Sequence, residues 1–194
     1  MLKHMVTLKC PRKCEYCIVK NVKANECLQP LMIEDKYKEI RKYHSKINLT
    51  GGEPTECTFF NTIVTMAKLN FNEVHITTQN PKIFDLNYQF DSIVFSLHDL
   101  LIPLIPKGQK AAKKVYASIL GHQYNERLVH ALALLGYDGL TINEEQREGK
   151  DFGPVPIFPE YPTFSIVVNR IGKCMDETII LPDLRVITDF TLYL

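Results

Sequence analysis

Short apolar runs alternate with amphipathic stretches along most of the chain. Helical periodicity predicts helices over residues 33–43, 58–69 and 125–135, and in the third Leu128, Ala131, Leu132 and Leu135 share one face. Apolar and β-branched runs predict six strands, over residues 5–8, 47–50, 73–77, 92–96, 114–119 and 139–143. Strands separated by helices indicate a parallel sheet, and right-handed crossovers curl it into a partial barrel or a doubly wound sheet. We predict the α/β class, with a partial (β/α)6 barrel.

The pattern changes after residue 146. Four prolines fall within residues 147–162 and predict an irregular linker or lid: Pro154, Pro156, Pro159 and Pro162. Strand-like runs follow over residues 164–169, 177–181 and 185–194. We therefore predict two parts: a core over residues 1–146, and a proline-rich linker or lid with a small antiparallel β appendage over residues 147–194.

Composition and charge exclude several classes of protein. The net charge is +1, which gives no strong signal for nucleic acid as a partner. No apolar run approaches the ~20 residues that span a bilayer, so no membrane partner is predicted. No signal peptide is recognised, and we predict a cytoplasmic protein. Six cysteines in such a chain favour reduced thiols and metal ligation over disulfides.

Polar or glycine-rich residues follow each predicted strand. In parallel α/β folds the functional residues gather at the carboxyl ends of the strands. We therefore expect these segments to meet at one edge of the sheet. They begin at Cys10, Thr50, Thr77, Ser96, Ser118 and Asn143.

The first of these segments contains Cys10, Cys14 and Cys17 at C-x3-C-x2-C spacing, here called the cysteine triad. Three thiolates are one short of the four that complete a structural zinc site or saturate a four-iron cluster. A cluster held by three cysteines keeps one iron open for a further ligand. The second segment is Gly51-Gly52-Glu53-Pro54, where two glycines let backbone approach a ligand and a carboxylate can receive an ammonium group.

Together, the cysteine triad with Tyr16 before its last cysteine and the Gly51–Pro54 segment resemble the radical S-adenosylmethionine (SAM) superfamily. The resemblance covers residues 1–146. It implies a [4Fe–4S] cluster on the triad, the SAM amino group at Gly51, Gly52 and Glu53, and the ring of Tyr16 near the adenine. Further cofactor contacts are expected from strand-end residues: Thr78, Ser96 on the ribose with His98 or Asp99, Ser118, Ile119 as an apolar wall, and Asn143. Ala117 and Tyr124 depart from the family's G-x-I-x-G-x-x-E pattern on the fifth strand.

The implied activity is reductive cleavage of SAM to a 5′-deoxyadenosyl radical that abstracts hydrogen from a small-molecule or nucleotide-like substrate. A flavodoxin or ferredoxin would be the electron donor. The alternatives are a glycyl-radical-activase-like or peptide-modifying enzyme that acts on a partner protein, a zinc-binding module with Cys27 as the fourth ligand, and a non-catalytic SAM-binding subunit. Cys57 is interpreted as a buried thiol or a hydrogen donor that quenches a radical, and Cys27 and Cys174 as inert.

Overall fold

The computed structural model describes residues 1–12, 14, 17, 22, 24, 30–98, 102–104, 111–143, 161, 163–169 and 178–187. The strands are β1 (Leu2–Thr7), β2 (Lys46–Gly51), β3 (Glu73–Thr78), β4 (Phe90–Ser96), β5 (Ala112–Leu120), β6 (Gly139–Asn143), β7 (Ser165–Asn169), β8 (Ile179–Ile180) and β9 (Val186–Ile187). The helices are α1 (Pro30–Ile40), α2 (Phe60–Asn70) and α3 (Glu126–Leu134). In the described part of the chain, no helix is both long and apolar enough to cross a bilayer.

The chain divides into two compact units. The first contains Met1–Thr78 and Cys174–Leu194, and the second contains Gln79–Lys173. The boundary predicted after residue 146 falls at residues 144–160, which lie outside the described residues, so that division stays a prediction.

The first unit is built on three parallel strands in the order β3-β2-β1. On the other side of β1 lies β8, which is also parallel, and β9 then pairs antiparallel with β8. Residues 4–7 of β1 are all buried, as expected of a central parallel strand covered on both faces. Helices α1 and α2 pack against each other and bury Ile33, Tyr37, Ile63 and Val64.

A small apolar cluster joins β1 to the carboxyl-terminal strands. Met5 packs with Val22, Ile179 and Leu181, and Leu8, Ala24 and Ile187 lie against them. Val22 and Ala24 belong to the segment that follows the cysteine triad. The cluster therefore attaches that segment to β8.

The second unit contains four parallel strands in the order β7-β6-β5-β4. Burial alternates along β5 from Val115 to Leu120, and β4 buries Phe90, Ser92, Ile93 and Phe95. Helix α3 packs against β6 and buries Leu128, Val129 and Leu132.

Local sequence signals explain the ends of α3. The side chain of Asn125 caps the amino end by accepting from the Leu128 N–H at 2.9 Å. At the carboxyl end Gly136 has φ +85°, a conformation that favours glycine. Its N–H donates to Ala133 and the Tyr137 N–H donates to Leu132, which completes a Schellman motif.

All six predicted core strands and all three predicted helices are present, with ends shifted by at most three residues. The α/β class with parallel strands is confirmed, and the antiparallel appendage is confirmed for β8 and β9. Ser165–Asn169 differs from the prediction, because it lies parallel to β6 and extends the sheet of the second unit. Close packing accompanies this pairing, since a Cβ on Gly139 would lie 2.3 Å from the Ser165 carbonyl oxygen.

Candidate functional site

The Gly51–Pro54 segment is hydrogen-bonded to the chain that leads into the cysteine triad. The Gly52 N–H donates to the Thr7 carbonyl at 2.8 Å, and the Glu53 N–H donates to the Lys9 carbonyl at 2.7 Å. The register between β1 and β2 shifts after Met5, so that Thr7 lies beside Gly51. The pairing of β1 and β2 thus continues past both strand ends and places Glu53 next to the residue before Cys10.

The two glycines are required by this close approach of backbone to backbone. Gly51 has φ +136°, and a Cβ there would lie 2.3 Å from the Thr7 carbonyl oxygen. A Cβ on Gly52 would lie 2.3 Å from the Lys9 carbonyl oxygen and 2.7 Å from that of Leu8. The sequence suggested glycines that make room for a ligand, and the structure adds a nearer reason, which is the neighbouring segment of the chain itself.

The Glu53 side chain is buried, and one of its oxygens is held by three donors. Oε1 accepts from the Thr78 hydroxyl at 2.6 Å, from the Thr55 hydroxyl at 2.8 Å and from the Thr55 N–H at 3.1 Å. Only 1% of Glu53 and 2% of Thr78 is exposed. Donors of this kind compensate the cost of burying a carboxylate and fix its orientation.

The cysteine triad lies at the half-buried surface of the first unit. Cys10, Cys14 and Cys17 are thiols that are each partly exposed, and the Cys17 N–H donates to the Cys14 carbonyl at 3.3 Å. Cys57 is buried, which confirms that part of its interpretation. Among the described residues, the His, Cys, Asp and Glu side chains form no group of three that could hold a metal ion. Tyr16 and Cys27 lie outside the described residues.

A buried polar pair supports β1 beneath these loops. Nδ1 of His4 is 2.6 Å from the Tyr37 hydroxyl, and the Tyr37 ring packs edge-on against Phe71. Burial lowers the pKa of His4 to about 3, so its imidazole is neutral near pH 7. Burial, and secondarily the charge of Cys57, raise the pKa of Tyr37 well above its usual 10.

The second unit brings together four other predicted site residues. Ser96 at the end of β4 is the register partner of Ser118 on β5. The Asn143 side-chain amide, at the end of β6, donates to the Ser118 hydroxyl at 2.8 Å and to the Ile119 carbonyl at 3.3 Å. These contacts link the carboxyl ends of three adjacent strands.

Gln123 also fixes these strand ends, a role that no sequence motif predicts. Its side-chain carbonyl accepts from the Leu120 N–H at 2.9 Å, and its amide donates to the His98 carbonyl at 2.9 Å. The segments after β4 and β5 are therefore tied through one side chain. Tyr124, which stands where the family pattern has an acidic residue, has its pKa raised by burial and secondarily by Glu126.

Each unit therefore carries its own set of the predicted site residues. The first gathers the segment of the cysteine triad with Gly51, Gly52, Glu53 and Thr78. The second gathers Ser96, Ser118, Ile119 and Asn143. The hydrogen bonds from Thr55 to Glu53 were not predicted either. Thr55 lies at the start of the 3-10 turn Pro54–Glu56, where backbone N–H groups need an acceptor.

The donor set suits an iron–sulfur cluster and SAM. Soft thiolates are the ligands of such clusters, and the three thiols of the triad are partly exposed rather than sealed in the core. The backbone of Glu53 bonds to Lys9, the residue before Cys10, and its carboxylate, which is fixed by hydrogen bonds, can bind the ammonium group of an amino acid moiety. The residues of the first unit therefore fit both groups chemically.

Comparisons with solved structures show similarity in fold. Streptococcus suis SuiB bound to SAM superposes with a TM-score of 0.68 at 12% identity, over 96% of this chain and 59% of that one. SuiB bound to the precursor peptide SuiA gives a TM-score of 0.70 at 11% identity, over 96% of this chain and 58% of that one. The chain thus spans about three fifths of SuiB. No protein-family model and no curated protein matches the sequence.

Proposed function

We propose that the chain is a radical SAM enzyme. The observation that carries the proposal is the pair of hydrogen bonds from Gly52 and Glu53 to Thr7 and Lys9. These bonds attach the Gly51–Pro54 loop, which suits an amino acid moiety, to the segment that leads into the cysteine triad. The likeness in fold to SuiB, which binds SAM, supports the same conclusion.

In this proposal the cysteine triad holds a [4Fe–4S] cluster, and Gly51, Gly52 and Glu53 hold the amino group of SAM. When bound, these groups would supply reductive cleavage of SAM by one electron from a flavodoxin or ferredoxin, and hydrogen abstraction from a substrate. The three thiols are not grouped as metal ligands in the described structure, so in this proposal cluster binding would bring them together.

The chain's own residues position the cofactor. Glu53 attracts the ammonium group, and the backbone of Gly51 and Gly52 allows close approach. We assign Ser96, Ser118, Ile119 and Asn143 to the adenosine part of SAM, with Tyr16 at the adenine. A flavodoxin or ferredoxin is the proposed electron donor, and residues 147–194 are the proposed lid and appendage.

Anaerobic reconstitution with iron and sulfide tests the proposal directly. We expect a brown protein with four irons per chain, which turns over SAM to 5′-deoxyadenosine after reduction with dithionite. A colourless protein with one zinc per chain would support the zinc-binding module instead. A cluster-loaded protein that binds SAM but never yields 5′-deoxyadenosine would support the non-catalytic subunit.

The sequence predicts a small or nucleotide-like substrate, and a peptide is the second candidate. The likeness to SuiB in complex with its precursor peptide favours the peptide. Incubation of the enzyme with deuterium-labelled peptides or metabolites can distinguish the two substrate classes, because the abstracted deuterium is recovered in 5′-deoxyadenosine. Transfer from labelled peptides of the source cell, but not from labelled metabolites, would replace the small-molecule proposal with the peptide one.

A further inference from the structure

We propose that Thr78 is a positioning residue: from the end of β3 it sets the orientation of the Glu53 carboxylate that receives the ammonium group of SAM. This inference rests on the proposed function. It also changes the role predicted for Thr78, which was direct contact with the cofactor. The shared hydrogen bond between two buried side chains on different segments is the basis for the change.

The geometry around Oε1 of Glu53 carries the first step. A carboxylate oxygen has about two lone-pair directions, and Oε1 already accepts from three donors on Thr55 and Thr78. These three hydrogen bonds fix the orientation of the carboxylate. The carboxylate cannot exchange its two oxygens without breaking all three hydrogen bonds.

The position of Thr78 carries the second step. Thr55 follows Glu53 by two residues and moves with the same loop, whereas Thr78 belongs to the neighbouring strand. The hydrogen bond of 2.6 Å from Thr78 thus ties the carboxylate to the sheet, while the Glu53 N–H ties the backbone to Lys9. One anchor on β3 and one on the segment after β1 hold the residue at both ends, and a preorganised binding group loses less freedom when the ligand arrives.

Thr77 provides a matched control on the same strand. Its hydroxyl also bonds a neighbouring side chain, since the Asn48 amide donates to it at 3.1 Å. Successive residues of a strand point to opposite faces, and the burial of β3 alternates accordingly. Thr77→Val therefore removes a comparable hydroxyl from the same strand without touching Glu53.

The test compares two ligands on cluster-loaded protein under anaerobic conditions: SAM, and 5′-methylthioadenosine, which lacks the amino acid moiety. For Thr78→Val we expect the Kd for SAM to rise about tenfold, the loss typical of one hydrogen bond to a charged group. The Kd for 5′-methylthioadenosine should stay unchanged. Thr78→Ser, which retains the hydroxyl, should restore SAM binding, and Thr77→Val should bind both ligands as the wild type does.

A double-mutant cycle with Glu53→Gln links the effect to the carboxylate. In the Glu53→Gln background, Thr78→Val should change SAM binding by less than about twofold, because the group that it orients is gone. If Thr78→Val fails to fold, Thr55→Val removes a donor from the same oxygen and should give the same selective loss for SAM.

The outcomes separate this inference from the proposed function. A wild-type protein that binds SAM and forms 5′-deoxyadenosine, with Thr78→Val equal to it, would overturn the positioning role alone. Equal losses for SAM and 5′-methylthioadenosine would also overturn it, because they would indicate a general structural role. A cluster-loaded wild type that does not bind SAM would overturn both.

Discussion

Alanine at Gly52 should displace the segment that carries the cysteine triad. The new Cβ would lie 2.3 Å from the Lys9 carbonyl oxygen and 2.7 Å from the Leu8 carbonyl oxygen. Both contacts are with backbone, so no side-chain rotation relieves them. The loop and the segment before Cys10 must instead move apart.

The structure gives the size of the effect. Contacts of a real Cβ stay beyond about 3.0 Å, so the separation must grow by about 0.7 Å. The hydrogen bonds at 2.8 and 2.7 Å from Gly52 and Glu53 would then lengthen beyond the usual range of about 2.7–3.2 Å. With about 1 kcal/mol for each bond and a similar amount for residual strain, the free energy of unfolding should fall by about 3 kcal/mol.

Thermal melting and iron content measure the two consequences. For a chain of this length, a loss of about 3 kcal/mol lowers the Tm by roughly 6–12 °C. Iron per chain after reconstitution should fall as well, because the displaced segment leads directly into the triad. Gly136→Ala is the control: its Cβ would meet nothing within 4 Å, and its positive φ alone should cost about 1 kcal/mol with no loss of iron.

The reasoning is refuted if Gly52→Ala melts within about 2 °C of the wild type and loads the same amount of iron. Such a result would mean that the loop accommodates the new Cβ without loss of stability. The hydrogen bonds to Thr7 and Lys9 would then have no role in holding the triad in place.

Three further predictions concern other parts of the chain. Alanine at any one residue of the cysteine triad should abolish the four-iron absorption after reconstitution, whereas Cys57→Ala should retain it. A normal spectrum from a triad variant would contradict the ligand assignment. Burial lowers the pKa of His4 from its usual 6.5 to about 3, so between these pH values the unfolded chain binds a proton that the folded chain does not. The free energy of unfolding should therefore fall as the pH drops from 6.5 towards 3, by at most about 1.4 kcal/mol per pH unit. Urea titrations at several pH values should show this slope flattened in His4→Gln, and an unchanged slope would assign the dependence to other groups. Gln123→Ala should lower the free energy of unfolding by about 1–2 kcal/mol in urea titrations. Gln123→Glu should also lose stability, because its carboxylate still accepts from the Leu120 N–H but places an acceptor against the His98 carbonyl oxygen. Equal stability of all three proteins would show that the bridge is not needed.

Much of the fold could be predicted because its signals are local. The period of apolar residues locates strands and helices, and residues such as Asn125 and Gly136 mark the ends of a helix. The direction of Ser165–Asn169 could not be predicted, since an apolar run of five residues reads the same in a parallel and an antiparallel strand. Its direction depends on the connection from β6, which passes through residues outside the described part of the chain.

In the candidate site, too, only the residues with a local sequence signal could be predicted. Gly51, Gly52 and Glu53 form a recognisable motif, so their place beside the triad could be predicted. Thr55 and Gln123 could not, because their roles depend on which backbone or carboxylate group lies within reach of an ordinary polar side chain. Thr78 was selected from its place at a strand end, but only the structure shows that it contacts Glu53.

The apolar cluster of Met5, Val22, Ile179 and Leu181 has a consequence for the order of events during synthesis. Val22 is made soon after the cysteine triad, but Ile179 and Leu181 are made much later. Strand β1 likewise waits for β8 as its second neighbour. Contacts so distant in sequence form late. The thiols are therefore expected to lie in an incompletely anchored segment until β8 has been made, and metal loading should follow that step.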